Sequence, residues 1–168
     1  MTERLRSQRL DPERHDIAGF SCVEDSLDQW LRRHAADAAA RGTARTWVWL
    51  DSEERVVAYY ALAAHKVARE QVPSRIGRGG PAEVPAVLLA RLALTEHLRG
   101  HGLGAVLVAD ALERVVEATR TVAARVVVVD ALTEPVARFY ETLGFRRVPG
   151  SLRLVQKVTD IAAALGHD

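Results

Sequence analysis

The sequence is poor in the residues that disulfide frameworks and metal centres require. Its 168 residues include one cysteine, Cys22, which cannot form a disulfide within the chain. The lone cysteine and the six scattered histidines do not form the ligand pattern of a metal site. We therefore expect no metal site, and we expect Cys22 to be a buried structural thiol rather than a nucleophile.

Long apolar runs and a large net charge are also missing. No stretch approaches the roughly 20 apolar residues of a membrane span, and the first residues form no apolar signal segment. Together with the single cysteine, this predicts a cytoplasmic protein without membrane contact. The net charge of +1 argues against strong nonspecific DNA binding. Basic residues nevertheless predominate over 66–80 and 138–157, which would allow an anionic partner to bind.

What remains is an ordinary globular composition, with 48% hydrophobic and 27% charged residues. The length fits a single domain over residues 1–168. Hydrophobic periodicity and turn residues predict an α/β order of elements. In chain order these are a helix over 24–41, strands over 45–50 and 55–63, a loop over 72–85, a strand over 87–94, a helix over 103–116, a strand over 125–129, a short helix from Thr133 to Gly144, strands near 145–148 and 152–158, and a C-terminal tail. The long loop is either a substrate lid or a surface excursion.

A glycine-rich turn, residues 99–104, joins the strand over 87–94 to the following helix. Its glycines let the backbone approach a ligand closely, and its N–H groups lie at a helix N-terminus, where the dipole is positive. The turn is therefore predicted to bind an anion. No G-K-[ST] sequence follows, which excludes a P-loop.

One cofactor fingerprint that fits the turn is the dinucleotide pattern G-x-G-x-x-G/A. Gly100, Gly102 and Ala105 satisfy it formally, and Asp130 stands in the place of the ribose-binding acid. In that fold, however, the strand runs directly into the glycines, whereas here residues 95–99 intervene. Too little chain follows Asp130 to complete a doubly wound sheet, so this interpretation is disfavoured.

The second fingerprint, R/Q-x-x-G-x-G/A, is matched by Arg99, Gly102 and Gly104. It resembles the pyrophosphate loop of the GNAT acetyltransferases, which bind acetyl-CoA. A plain strand-turn-helix, with glycines needed only for packing, is the alternative that the turn alone leaves open.

The resemblance to GNAT acetyltransferases extends along the chain, because the predicted order of elements is also theirs. It implies their fold, a central mixed sheet flanked by helices, with a splayed strand pair that holds the cofactor. Leu92-Ala93-Leu94 resembles the family's strand beside the pantetheine arm, and Phe139-Tyr140 with Gly144-Phe145 resembles its F-Y-x-x-x-G-F element, whose tyrosine lies beside the thioester. The implied cofactor-binding residues are Leu92, Ala93, Leu94, Arg99, Gly100, His101, Gly102, Leu103, Gly104 and Tyr140.

Further segments resemble one branch of the family, the GNAT-type toxins of toxin–antitoxin pairs. They are Phe20-Ser21-Cys22, Leu27-Asp28 with Trp30-Leu31, 57–62, Arg91-Leu92-Ala93, and Asp110-Ala111-Leu112 with Arg114. The resemblance implies a toxin that acetylates the amino group of aminoacyl-tRNA and blocks translation, with a ribbon-helix-helix antitoxin as partner and a homodimeric state. The sequence departs from the branch at Val23, Ala58 and Ala90, where glycine is frequent.

The chemistry of acetyl transfer points to Tyr140 as the catalytic residue. The departing thiolate needs a proton, and a tyrosine hydroxyl held beside it can donate one. No strong base is evident, because Glu96, His97 and His101 near the turn are expected to be solvated or structural. An α-amine is partly neutral at cellular pH and therefore suits such a site better than lysine.

The acceptor side of the site is less well defined by the sequence. We expect Arg75, Arg78 and Arg91 to hold the nucleic acid. Four aromatic residues are expected to alternate between the core and the wall of an acceptor groove: Trp47, Trp49, Tyr59 and Tyr60. Two other functions stay open, an ordinary GNAT acetyltransferase of a small amine or protein N-terminus, and a noncatalytic acetyl-CoA-binding module.

Overall fold

The computed structural model describes residues 7–73 and 79–167, which form an α/β fold around a mixed sheet of seven strands in the order β1-β2-β3-β4-β5-β7-β6. The strands are β1 (Gln8–Arg9), β2 (Arg45–Leu50), β3 (Val56–Ala68), β4 (Glu83–Leu94), β5 (Val126–Asp130), β6 (Arg146–Arg147) and β7 (Arg153–Lys157). The helices are α1 (Asp25–Arg33), α2 (Ala35–Arg41), α3 (Leu103–Ala118), α4 (Glu134–Thr142) and α5 (Val158–Ala164), with 3₁₀ turns at Arg69–Gln71 and Glu96–Leu98. Within the described ranges, no helix is long and apolar enough to cross a membrane.

The chain divides into two compact units. The first unit comprises Met1–Ala63 with Ala90–Ala111, and the second comprises Ala64–Leu89 with Leu112–Asp168. Strands β3 and β4 and helix α3 contribute residues to both. The prediction of one domain over the whole chain stays a prediction.

The first unit confirms the predicted hairpin. Strands β2 and β3 pair antiparallel from Arg45 opposite Leu62 to Leu50 opposite Val56, with a bulge at the end next to the turn. Its core contains Phe20, Cys22, Leu31, Ala35, Val48, Val56, Tyr59 and Ala93.

The helix predicted over 24–41 is in fact two helices, α1 and α2, with a bend at His34. There φ is −122° and ψ is −22°, yet the N–H of His34 still donates to the Trp30 carbonyl and the His34 carbonyl still accepts from Ala38. Leu31 and Ala35, on either side of the bend, are both buried, at about 1% exposed each. Their spacing of four residues is also that of one face of a straight helix, so the hydrophobic periodicity did not reveal the bend.

The second unit contains the buried valine strand. Residues 126–129 of β5 are at most 3% exposed, as the unbroken run of valines predicted. Strand β5 pairs in parallel with β4, from Ala86 opposite Val126 to Leu89 opposite Val129, and antiparallel with β7.

Several predicted boundaries in this unit were wrong, and the strand predicted to end at residue 63 continues to Ala68 in β3. Strand β4 begins at Glu83, inside the predicted loop, and includes Pro85, whose carbonyl accepts the Arg125 N–H at 2.9 Å. The predicted C-terminal tail contains α5, in which Val158 and Ile161 are buried.

Candidate active site

The glycine turn of the first unit presents unpaired backbone N–H groups. Within the described part of the chain, the N–H groups of Gly100, His101 and Gly102 donate no hydrogen bond. The φ angles of Gly100 and Gly102 are +80° and +73°, and successive N–H groups in turns of this kind can converge on an anion, so the three N–H groups are called the anion nest. The first turn of α3 adds the unpaired amides that every helix N-terminus has. This arrangement fits a pyrophosphate.

The glycines at 100 and 102 are required by conformation rather than by space. A Cβ built on either one meets nothing within 4 Å, so a side chain would fit there sterically. Positive φ is nevertheless costly for other residues, at about 1–2 kcal/mol each. The turn therefore keeps its glycines because its shape depends on them.

The start of the turn is tied to the segment 20–22 of the same unit. The guanidinium of Arg99 donates to the Cys22 carbonyl at 2.7 Å. The Glu96 N–H and the Thr95 hydroxyl both donate to the Ser21 carbonyl, at 3.0 and 3.2 Å. The Arg99 side chain thus holds the turn in place. The backbone N–H of Arg99 donates to the Glu96 carbonyl and is therefore not available to a ligand.

The segment 20–22 is in turn held by helix α1. The buried carboxylate of Asp28 accepts the Cys22 N–H at 3.0 Å, and Arg32 donates to the Phe20 carbonyl at 2.8 Å. Cys22 itself is fully buried and its thiol donates to the Glu24 carbonyl. Burial raises the pKa of this thiol to about 11, so it stays protonated at neutral pH. Cys22 is therefore a structural thiol, as the sequence predicted.

Val23 links this segment to α1 and adopts a conformation that favours glycine. Its φ is +79° and its side chain is 66% exposed, so no burial compensates for the strain of a β-branched residue there. Glycine would adopt this conformation without such strain.

Replacing Val23 by glycine is expected to raise the free energy of unfolding by about 0.5–1 kcal/mol, because the relief of strain exceeds the entropy cost of glycine. Urea denaturation of the variant measures this. Val122→Gly is the matched control, since Val122 is 74% exposed without a positive φ and should gain nothing. Equal or lower stability of Val23→Gly would contradict the assignment of strain.

Arg91 lies on β4 just before the predicted cofactor strand and stacks on an aromatic pair. Its guanidinium carbon lies 5.4 Å from the Trp30 ring centroid, and Trp30 stacks on Tyr59 at 6.0 Å. The Arg91 side chain also donates to the Ala90 carbonyl at 2.8 Å. The stack holds a half-buried cation in a fixed orientation. The other two predicted nucleic-acid contacts, Arg75 and Arg78, lie outside the described residues.

The aromatic residues of the hairpin do not alternate as predicted. Trp49, Tyr59 and Tyr60 have no exposed surface, so they belong to the core rather than to a groove wall, and only Trp47 is half-buried. The error arose because both faces of this strand pair are covered. The buried hydroxyls are satisfied: Tyr59 donates to the Leu27 carbonyl and Tyr60 to Asp110, both at 2.7 Å.

Tyr140 lies in the second unit, on α4. It is 4% exposed and packs edge-on against Phe139 and Phe145, with ring centroids 5.2 and 5.5 Å away. Its hydroxyl makes no hydrogen bond to any described residue. Burial raises the pKa of this hydroxyl well above its usual value, so at neutral pH the phenol keeps the proton that a general acid must give.

Local sequence places Tyr140 on its helix. Thr133 caps α4 by accepting the Val136 N–H at 3.4 Å, and Gly144, with φ of +96°, reverses the chain after the helix. A Cβ on Gly144 would lie 2.8 Å from the side-chain nitrogen of Gln156, which is the flexible end of that side chain and can move, so this glycine is required mainly by its conformation. The reversal brings Phe145 onto the Tyr140 ring.

Asp130, the candidate ribose acid of the rejected dinucleotide interpretation, is occupied by an ion pair. Both of its oxygens accept from Arg153, at 2.7 and 2.9 Å, and this pairing lowers the pKa of the carboxyl. Across residues 7–73 and 79–167, no group of three or more potential ligands could hold a metal ion.

Comparison with known proteins identifies the class to which this fold and this turn belong. The model of the acetyltransferase (GNAT) family matches residues 10–145, and the chain belongs to that family. A tRNA-acetylating toxin of Mycobacterium tuberculosis (strain ATCC 25618 / H37Rv) is 37% identical over 152 residues, which cover 90% of this chain and 91% of that protein.

Solved structures show the same similarity. AtaT complexed with acetyl-methionyl-tRNAfMet has a TM-score of 0.88 at 27% identity, covering 96% of this chain and 99% of AtaT. A tyrosine-to-phenylalanine mutant of AtaT, bound to the C-terminus of the antitoxin AtaR and to acetyl-CoA, has a TM-score of 0.82 at 26% identity, covering 98% of this chain and all of that one.

Proposed function

We propose that this protein is a toxin that transfers acetyl from acetyl-CoA to the α-amino group of aminoacyl-tRNA and thereby blocks translation. The observation that carries the proposal is the 37% identity, over nine-tenths of the chain, to a protein named for acetylating tRNA. The AtaT complex with an acetylated, charged tRNA supports the same acceptor.

The nest of unpaired N–H groups at Gly100, His101 and Gly102 is proposed to bind the pyrophosphate of acetyl-CoA, with Leu103 and Gly104 at the positive end of α3. Arg99 contributes by holding the turn through the Cys22 carbonyl. Residues Leu92, Ala93 and Leu94 at the end of β4 are proposed to pair with the pantetheine arm as an added strand would.

Tyr140 is proposed as the general acid for the departing thiolate. Its raised pKa keeps it protonated, and because no described residue is a hydrogen-bond partner of its hydroxyl, that hydroxyl is available to the sulfur. A thiolate with a pKa near 8.5 is a weaker base than a phenolate of pKa near 10 or above, so this proton transfer is uphill and depends on the Tyr140 hydroxyl being held close to the sulfur as the thiolate forms. Acetyl-CoA supplies the activated thioester.

The acceptor is proposed to be an α-amine because the turn offers no strong base. Glu96, His97 and His101 are exposed, and none of their side chains is held by a hydrogen bond within the described chain. An α-amine, with a pKa of about 7.7–8.0, loses its proton to water often enough at cellular pH, whereas lysine does not.

Arg91, which stacks on Trp30, is proposed to contact the nucleic acid together with Arg75 and Arg78.

A ribbon-helix-helix antitoxin and a second copy of the chain are the proposed partners, in the cytoplasm where charged tRNA is found. The antitoxin proposal is supported by the complex of AtaT with AtaR. One catalytic domain over residues 1–168 is the proposed organisation.

The experiment that tests the proposal offers labelled acetyl-CoA together with charged tRNA, uncharged tRNA and protein. We expect label only on charged tRNA, in the amide of its aminoacyl group, because uncharged tRNA has no α-amine. Uncharged tRNA is therefore the matched control for nucleic-acid binding without an acceptor. If charged tRNA stays unlabelled while a small amine or a protein N-terminus is acetylated, the protein is an ordinary GNAT acetyltransferase. If nothing is labelled although acetyl-CoA binds, it is a noncatalytic binding module.

A further inference from the structure

One arginine of the second unit forms ion pairs near both ends of helix α4, and this pair of contacts is called the grip. The guanidinium of Arg147, on β6, donates one N–H to Glu134, the first residue of α4, and another to Glu141 at 2.7 Å. The Arg147 side chain is 23% exposed, whereas the two carboxylates are 50% and 43% exposed. Both ion pairs raise the pKa of Arg147, so the grip is charged at every physiological pH.

The spacing of the two carboxylates makes this contact a constraint on the whole helix. Residues 134 and 141 are seven apart, so they lie on one face of α4, about 10 Å apart along its axis. A single rigid guanidinium that binds both carboxylates restrains the rotation of the helix and its position along its axis. Rotation or sliding of α4 on β7 would break at least one of the two bonds.

The grip also offsets an unfavourable charge. Glu141 lies in the last turn of α4, where the helix dipole is negative and a carboxylate is disfavoured. Arg147 brings a cation to that end. Glu141 is also the residue that directly follows Tyr140, so the grip acts one residue away from the proposed acid.

The Tyr140 hydroxyl has no hydrogen bond within the described chain that could fix it. Its position depends on the aromatic contacts of its ring and on the placement of its helix. We propose that Arg147 is a positioning residue, which holds α4 against rotation and sliding and so places the Tyr140 hydroxyl for proton donation. The proposal rests on the role assigned to Tyr140 under the proposed function.

Two variants test the grip. Arg147→Gln removes both ion pairs, and Glu141→Gln removes the charge of one of them and leaves at most a weaker neutral hydrogen bond, at an exposed site where folding is not at risk. We expect the single-turnover rate to fall about 10- to 100-fold in Arg147→Gln, because misplacement of a reacting group by about 1 Å has effects of this size. The fall should be smaller in Glu141→Gln, and the KM for acetyl-CoA should stay within about twofold in both. Arg120→Gln, which breaks an exposed pair with Glu117, is the charge-matched control and should keep the native rate.

A cycle with Tyr140→Phe separates positioning from general stability. If Arg147 acts through the Tyr140 hydroxyl, Arg147→Gln should slow the Tyr140→Phe enzyme by less than twofold.

Three outcomes would overturn the proposal. Native single-turnover rates in both Arg147→Gln and Glu141→Gln would do so, and if Arg147→Gln fails to fold, the Glu141→Gln rate decides alone. An equal slowing of the native and Tyr140→Phe enzymes would show a merely structural role while leaving Tyr140 as the acid. A fully active Tyr140→Phe enzyme would instead remove the acid itself, and the positioning role with it.

Discussion

Tyr140→Phe is expected to slow acetyl transfer by about 10²- to 10⁴-fold, the usual effect of removing a general acid. The change keeps the ring and its edge-on contacts with Phe139 and Phe145 and deletes a hydroxyl that bonds to none of the residues the structure describes, so the fold should not be destabilised. Single-turnover rates with a saturating acceptor measure the chemical step, and calorimetry should show little change in acetyl-CoA affinity. Expression of the native protein should arrest growth, and expression of the variant should not.

The matched control for this variant is Tyr59→Phe. It also removes a buried hydroxyl, but one that donates to the Leu27 carbonyl in the core of the first unit. We expect it to lose about 1 kcal/mol of stability while keeping the native rate. A native rate for Tyr140→Phe would exclude Tyr140 from the mechanism, whatever the control shows.

Gly104→Asp is expected to weaken acetyl-CoA binding more than 100-fold. The substitution puts a carboxylate in the first turn of α3, beside the nest at Gly100, His101 and Gly102 that is proposed to hold the pyrophosphate. Two unit charges about 5 Å apart at an effective dielectric constant of about 20 repel by about 3 kcal/mol, which is more than two orders of magnitude in Kd. Isothermal titration calorimetry measures the change directly.

Gly104→Asn isolates the charge from the added volume. Its side chain is nearly isosteric with aspartate and neutral, so it should bind acetyl-CoA far better than the aspartate variant. An acidic residue in the first turn of a helix is favourable for folding, so loss of binding in Gly104→Asp should not reflect unfolding. Unchanged affinity in a folded Gly104→Asp protein would mean that the pyrophosphate binds elsewhere.

The parts of the fold that the sequence predicted are those with a strong local signal. The β-rich runs of the β2–β3 hairpin, the valines of β5 and the Thr133 cap of α4 depend on neighbouring residues, and residue composition or capping chemistry indicates them. The glycine turn belongs to the same group, because positive φ at Gly100 and Gly102 is a local requirement.

The parts that were missed depend on contacts between distant residues. No local pattern shows that Arg99 reaches the Cys22 carbonyl, or that Arg147 spans α4, because each pairing is set by the tertiary fold. The two-residue strand β1 is too short to have a periodicity. The burial of Tyr59 and Tyr60 was missed because alternation assumes that one face of the sheet meets solvent. The sequence shows Val23 as a departure from the pattern of the toxin branch, but only the φ of +79° shows that this position favours glycine.

The bonds from Arg99, Thr95 and Glu96 to residues 21–22 mean that the anion nest is assembled from two stretches more than seventy residues apart in sequence. A fragment that begins after α2 would contain the whole glycine-rich motif and still lack the carbonyls that hold the turn in shape. The motif is therefore not a transferable module. Grafting residues 99–104 into another strand-turn-helix would transfer the sequence motif but not its affinity for an anion, unless counterparts of segment 20–22 and of helix α1 were grafted with it.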